Sequence, residues 1–155
     1  MIMPTLRPVA AVDFDNMVTL RIEALRPSLE RLGRFDPVRA RERLAAGFKP
    51  EHMQHMVLAG ERIGFITLRP DADVVPPALH LDHLYIRPAC QGQGIGTWAL
   101  DWAKAQAVGK GCDITLSALK YSDANRFYLR HGFVQVSESE FDLDYRWQQA
   151  QGASA

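Results

Sequence analysis

Residues Cys90–Ala107 read CQGQGIGTWALDWAKAQA. Three glycines, Gly92, Gly94 and Gly96, fall within five residues. A helical run follows them. A glycine-rich turn before a helix presents backbone N–H groups to an anion, and the helix dipole favours negative charge there. The strand ALHLDHLYIRP (78–88) precedes the turn and ends at Pro88. The turn is not a phosphate loop of the Gly-Lys-Ser/Thr kind, because no such triplet follows. A dinucleotide fingerprint would need glycine at position 97, where Thr97 stands. The remaining reading is a pyrophosphate cradle built from backbone alone.

Working outward, PTLRPVA reads as a first strand. Met17, Leu20, Ala24 and Leu25 recur at helical spacing, with Asp13 or Asp15 as the cap. Pro27 is expected to bend or end that helix. Asp36-Pro37 opens a second helix as N-cap and first helical residue. HMVLAGERIGFITLRP reads as a hairpin turning at Gly60. After the glycine turn come a short strand, DITLSAL, a helix, SDANRFYLRHG, closed by Gly132, and two last strands. In the final strand Phe141, Leu143, Tyr145 and Trp147 alternate with polar residues, which predicts one buried and one wet face. The order βααβββαβαββ defines an α/β domain with a mixed sheet.

The chain has 155 residues, enough for one domain with its own core. Lysine plus arginine balances aspartate plus glutamate at 18 each, unlike a general nucleic-acid binder. No apolar run reaches membrane-span length. The start, MIMPTLRPVAAVDFD, has no basic segment followed by an apolar signal core, so the chain reads as cytoplasmic. Cys90 and Cys112 have no metal-like spacing and read as reduced thiols. Residues 151–155 read as a disordered tail after a domain spanning 1–150.

Gln91-Gly92-Gln93-Gly94-Ile95-Gly96 resembles the acyl-CoA loop of the GNAT superfamily of N-acetyltransferases, Gln/Arg-x-x-Gly-x-Gly/Ala. ANRFYLRHGF (124–133) is similar to the same family's A-x-x-Phe/Leu-Tyr-x-Lys/Arg-x-Gly-Phe segment. The element order agrees over residues 4–148. The resemblance implies a single-domain GNAT-like fold, a mixed, mostly antiparallel sheet with helices on both faces. It implies acetyl-CoA as acyl donor, a small-molecule or peptide amine as acceptor, and compatibility with a homodimer. Nucleic acid and membrane are not implied as partners.

The same resemblance assigns acyl-CoA binding to Gln91, Gly92, Gln93, Gly94, Ile95, Gly96 and Thr97. Backbone bonds to the pantetheine arm fall to Leu84 and Ile86, along the strand before the loop. Where the family often has an asparagine, this chain has Tyr121, with Asn125 four residues on.

Acyl transfer to an amine sets its own requirements. An alkyl ammonium with a pKa of about 10.4 must first lose a proton, at roughly 4–5 kcal/mol near pH 7. A base or a water chain takes it. The leaving thiolate gains from an acid, and Tyr128 matches the family's tyrosine for that role. Asp82 or His83 is the candidate base; they alternate across one strand. His83 reads equally well as a satisfied strand histidine. His52 and His55 read as surface or pocket-lip residues, and His131 as exposed. Arg21, Glu23 and Arg26 read as a solvated helix face, and Trp98 and Trp102 as core. Direct attack in a ternary complex is the expected course. The alternatives are a catalytically weak acyl-CoA-binding sensor or accessory protein, and a nucleotide-binding oxidoreductase using the glycine turn.

Overall fold

The computed structural model describes residues 2–149. The elements run β1 (Thr5–Pro8), α1 (Phe14–Arg31), α2 (Pro37–Ala46), β2 (Met53–Leu58), β3 (Glu61–Asp71), β4 (Ala78–Ile86), α3 (Ile95–Lys110), β5 (Asp113–Leu119), α4 (Ala124–Arg130), β6 (Val134–Glu138) and β7 (Asp142–Trp147). This is the predicted order. Seven strands form one mixed sheet in the order β1-β2-β3-β4-β5-β7-β6. The β4–β5 pair is parallel, which fits a helical crossover between them. The residues assigned to a tail, 151–155, lie outside the described span.

The chain gathers into two compact units: residues up to Thr67 with His83–Leu100, and Leu68–Asp82 with the residues from Asp101 onward. In the first unit, α1 continues through Pro27 to Arg31, contrary to the expected break. Pro27 is exposed, where solvent replaces the one helical bond that proline forfeits. Asp36 caps α2 as expected, accepting from Val38 N at 3.0 Å and Arg39 N at 3.2 Å. The β2–β3 hairpin turns through Ala59 and Gly60, both with positive φ, the two-residue turn that suits strand twist. Met17, Leu20, Leu44, Met53 and Phe65 form the core of this unit, with Phe14, Phe48 and Tyr85 packed against it.

β3 is buried over Ile63–Thr67 on both faces. Its register against β2 shifts between Met56 and Val57, so that Met56 pairs with Gly64 and Val57 with Arg62. The extra residue, Ile63, makes a bulge. Gly64 then passes against β4 so closely that a Cβ would stand 2.0 Å from the Tyr85 carbonyl oxygen.

In the second unit, Ile114, Leu116 and Tyr145 are fully buried. The β4–β5 ladder covers Ala78–His80 against Asp113–Thr115, whereas β4 runs on to Ile86. Several expectations need correction here. Phe141 is exposed, and the polar side of β7 is half-buried rather than wet. Asp144 accepts hydroxyls from Ser117 (2.6 Å) and Ser137 (2.7 Å), and Arg146 donates to Asp113 at 2.8 Å. Neighbouring strands supply these partners, so the polar face is tied into the sheet. Trp98 and Trp102 are half-buried rather than core.

Gly64→Ala forces a methyl group onto backbone that has no rotamer with which to yield. The variant should lose about 1–3 kcal/mol of stability or fail to accumulate folded, read by urea unfolding against the parent.

Candidate functional site

The glycine turn stands as the sequence predicts. Gln91, Gly92, Gln93 and Gly94 are exposed, and α3 starts at Ile95. Gly92 and Gly94 hold φ of +77° and +80°, conformations that side-chain-bearing residues avoid. Trp98 N donates to Gly94 O at 3.0 Å, the first bond of the helix. The amides of Ile95 and Gly96 therefore sit at the positive end of the helix. Gln91 folds back, its Nε2 donating to Ile86 O at 2.8 Å. This ties the turn to the end of β4.

β4 carries His80, Asp82 and His83 in different surroundings. His83 is 9% exposed, shares a 2.8 Å hydrogen bond through Nδ1 with Thr67 Oγ1, and meets the rings of Phe65 and Tyr85 at 5.8 and 5.7 Å. Asp82 has a different set of partners. Its carboxylate takes Arg69 Nε at 2.5 Å and Nη2 at 3.4 Å. His80 Nε2 lies 3.4 Å from the same carboxylate, and its Nδ1 is 2.7 Å from Thr115 Oγ1. Burial pushes the His80 imidazole below its ordinary value, against the pull of Asp82.

Arg21 also departs from its expected place. It is only 8% exposed, not solvated. Its Nη1 donates to Ala40 O at 2.9 Å, its Cζ lies 5.6 Å from the Tyr85 ring centre, and its Nε meets no acceptor. The signal was available: Arg21 lies four residues after Met17 and three before Ala24, on the apolar stripe of α1. Glu23, Arg26, Pro27, Glu30, Arg87, Pro88 and Ala89 line a groove of about 510 Å³. Its charges are matched, Arg26 with Glu30 at 2.5 Å and Arg87 with Glu23 at 3.9 Å.

On α4, Tyr128 is buried against Phe127, Phe133 and Tyr145 at ring separations of 5.3, 5.5 and 6.3 Å. It occupies the fifth position of a seven-residue helix, away from that helix's positive end. Phe127 is half-buried. Asn125 Nδ2 donates to Leu119 O (2.9 Å) and Ser122 O (3.0 Å), and its Oδ1 accepts the Tyr145 hydroxyl at 2.8 Å. Its amide thus fastens the end of β5 to β7. Tyr121 is exposed and has a φ of +69°, a conformation asparagine tolerates better than tyrosine. Of the candidates, His83, Leu84, Ile86 and the turn belong to the first unit, and Asp82, Asn125 and Tyr128 to the second.

His55 is not at the surface. It is 1% exposed on β2, and its Nε2–H donates to Asp13 Oδ2 at 2.9 Å. Ala10 N also donates to Asp13 Oδ2, at 2.8 Å, and Arg62 Nη1 lies 3.1 Å from Oδ1. His131 is half-buried at the end of α4, and burial lowers its imidazole. No group of three or more metal-binding side chains occurs among the described residues. No described helix is long and apolar enough to cross a membrane.

A family model described as an acetyltransferase (GNAT) domain matches residues 51–135. An aminoalkylphosphonate N-acetyltransferase of Salmonella typhimurium is 31% identical over 143 residues, covering 84% of each chain. The PaiA N-acetyltransferase of Thermoplasma acidophilum, solved with coenzyme A, superposes with a TM-score of 0.76 at 16% identity, over 95% of this chain and 99% of that one. An acetyltransferase of Corynebacterium glutamicum, described as related to the histone acetyltransferase HPA2, gives 0.72 at 21% identity, over 99% and 100%.

The Asp13 cluster has a pH signature. The bond from His55, then that from Ala10, then the Arg62 charge hold the Asp13 carboxyl down at about 2. A depressed carboxyl adds stability above its unfolded value of about 3.9 and loses it as pH falls toward the folded value. Asp13→Asn should unfold at a lower temperature than the parent at pH 6, with the gap closing between pH 4 and pH 2. A gap constant over that range would show that the cluster acts by shape alone.

Proposed function

The chain belongs to the GNAT acetyltransferase family and is an acetyl-CoA-dependent N-acetyltransferase; from that premise we propose a catalytic course and assign residues to it. One catalytic domain, residues 1–150, moves an acetyl group onto a primary amine by direct attack within a ternary complex. The exposed glycine turn at the positive end of α3 carries the reading. Gln91 through Thr97 take the pyrophosphate on backbone amides, and a side chain at Gly94 would obstruct that approach. Beyond His80, β4 extends past its ladder with β5, which supports a pantetheine arm bonded to the backbone of Leu84 and Ile86. The relative's name supports a small-molecule rather than a peptide acceptor.

The amine nitrogen attacks the thioester carbonyl, the new C–N bond forms and the C–S bond breaks. The ammonium acceptor loses two protons in all. One passes to the thiolate and the other to solvent, leaving an amide, free CoA thiol and a released proton. His83 is the better base of the two candidates, since Thr67 fixes its ring and both Asp82 oxygens already accept from Arg69. Tyr128 supplies the acid for the thiolate. Asn125 supports Tyr145 and β5, and through them the end of the sheet.

Free-thiol release with a panel of small amines tests the reading and separates an enzyme from a sensor, which would bind acetyl-CoA without turnover. Gly94→Val should raise the dissociation constant for acetyl-CoA at least about tenfold with the fold retained, measured by isothermal titration. Tyr128→Phe should lower turnover by about 10²-fold or more with little change in the acetyl-CoA Michaelis constant. A loss below about threefold in a chemistry-limited assay would return Tyr128 to a packing role.

A further inference from the structure

We infer that Arg21 binds an anionic group on the acceptor, so that the substrate class is a short primary amine bearing a phosphonate, phosphate, sulfonate or carboxylate. This rests on the acetyl-transfer reading above and adds the feature that selects the acceptor. The argument starts from an unmatched charge. A guanidinium is a permanent cation with five N–H donors. Arg21 is 92% removed from solvent, yet no carboxylate of the described residues pairs with it. Four exposed or half-exposed arginines near α1 do have carboxylates beside them: Arg26 has Glu30, Arg41 has Asp15, Arg62 has Asp13, and Arg87 has Glu23 and Glu61.

One carbonyl bond and one aromatic face offset burial of this charge only in part. Arg21 Nε, a buried donor without an acceptor, marks where a further oxygen is wanted. The planar fork of a guanidinium suits a two-oxygen anion. The position is also the right one. Tyr85 touches Arg21 on one contact and His83 on another, at 5.6 and 5.7 Å. An anion held by Arg21 and an amine presented to His83 are therefore separated by a single aromatic side chain, which a short carbon chain can follow. A purely structural Arg21, clamping α1 to Ala40 of α2, would show no dependence on acceptor charge.

The test measures kcat/KM by thiol release at saturating acetyl-CoA, with β-alanine, taurine and phosphoethanolamine against the neutral-tailed propylamine. At least one anionic acceptor should exceed propylamine by about tenfold or more, and the three arms separate carboxylate from sulfonate from phosphate. Inorganic phosphate should inhibit competitively against that acceptor. Arg21→Gln should collapse the anionic preference toward unity, mainly through KM, and Arg21→Lys should restore part of it. If Arg21→Gln does not fold, the parent's acceptor ratio, the phosphate inhibition and Arg21→Lys still decide. Propylamine acetylated as well as every anionic acceptor overturns the inference and leaves the acetyltransferase reading intact. Acetylation of no amine overturns both.

Discussion

The approach of Gly64 to the Tyr85 carbonyl is the contact on which the first unit depends. With a Cβ excluded at that point, β3 and β4 can close to a separation that no other residue permits. The bulge at Ile63 aims Gly64 into that place. Tyr85 then stands with Phe65 at 5.4 Å and with His83 and Arg21 on its remaining sides. A sheet defect two residues from a core phenylalanine thereby determines where an imidazole and a guanidinium are held.

Charge is distributed with the same economy. Asp13, Asp82, Asp113 and Asp144 each accept from two or more partners within their own unit. Such groups resist movement and hold strands in register, because releasing any one partner strands a buried or half-buried carboxylate. They are poorly placed to take up a proton during turnover. Chemistry is left to groups with fewer commitments, and this is the reason for preferring His83 to Asp82.

Sequence reasoning recovered the element order, the Asp36 cap, the hairpin turn and the glycine turn, because each depends on local chemistry that the residues carry with them. It missed what depends on packing from elsewhere. Pro27 in mid-helix is tolerated only because its side of α1 is open, and the sequence does not say which side that is. His55 looked like a loop residue until Asp13, 42 positions earlier, closed on it. Arg21 was misread although its spacing was legible, since arginine on an apolar stripe is more often a solvated tip than a buried head. Asn125 and Tyr145 likewise meet only after the last strand has returned.

The two thiols carry a practical consequence. Cys90 closes the 3-10 turn Pro88–Cys90 immediately before Gln91, and both Cys90 and Cys112 are half-exposed. Disulfide or maleimide reagents used to count released CoA will therefore also titrate the protein, and enzyme-only blanks become stoichiometric quantities rather than drift. The same nuisance has a use. Cys90 adjoins the cradle and Cys112 lies beyond α3, so the labelling rate of Cys90 relative to Cys112 serves as an internal footprint of whether the nucleotide end of the donor is in place.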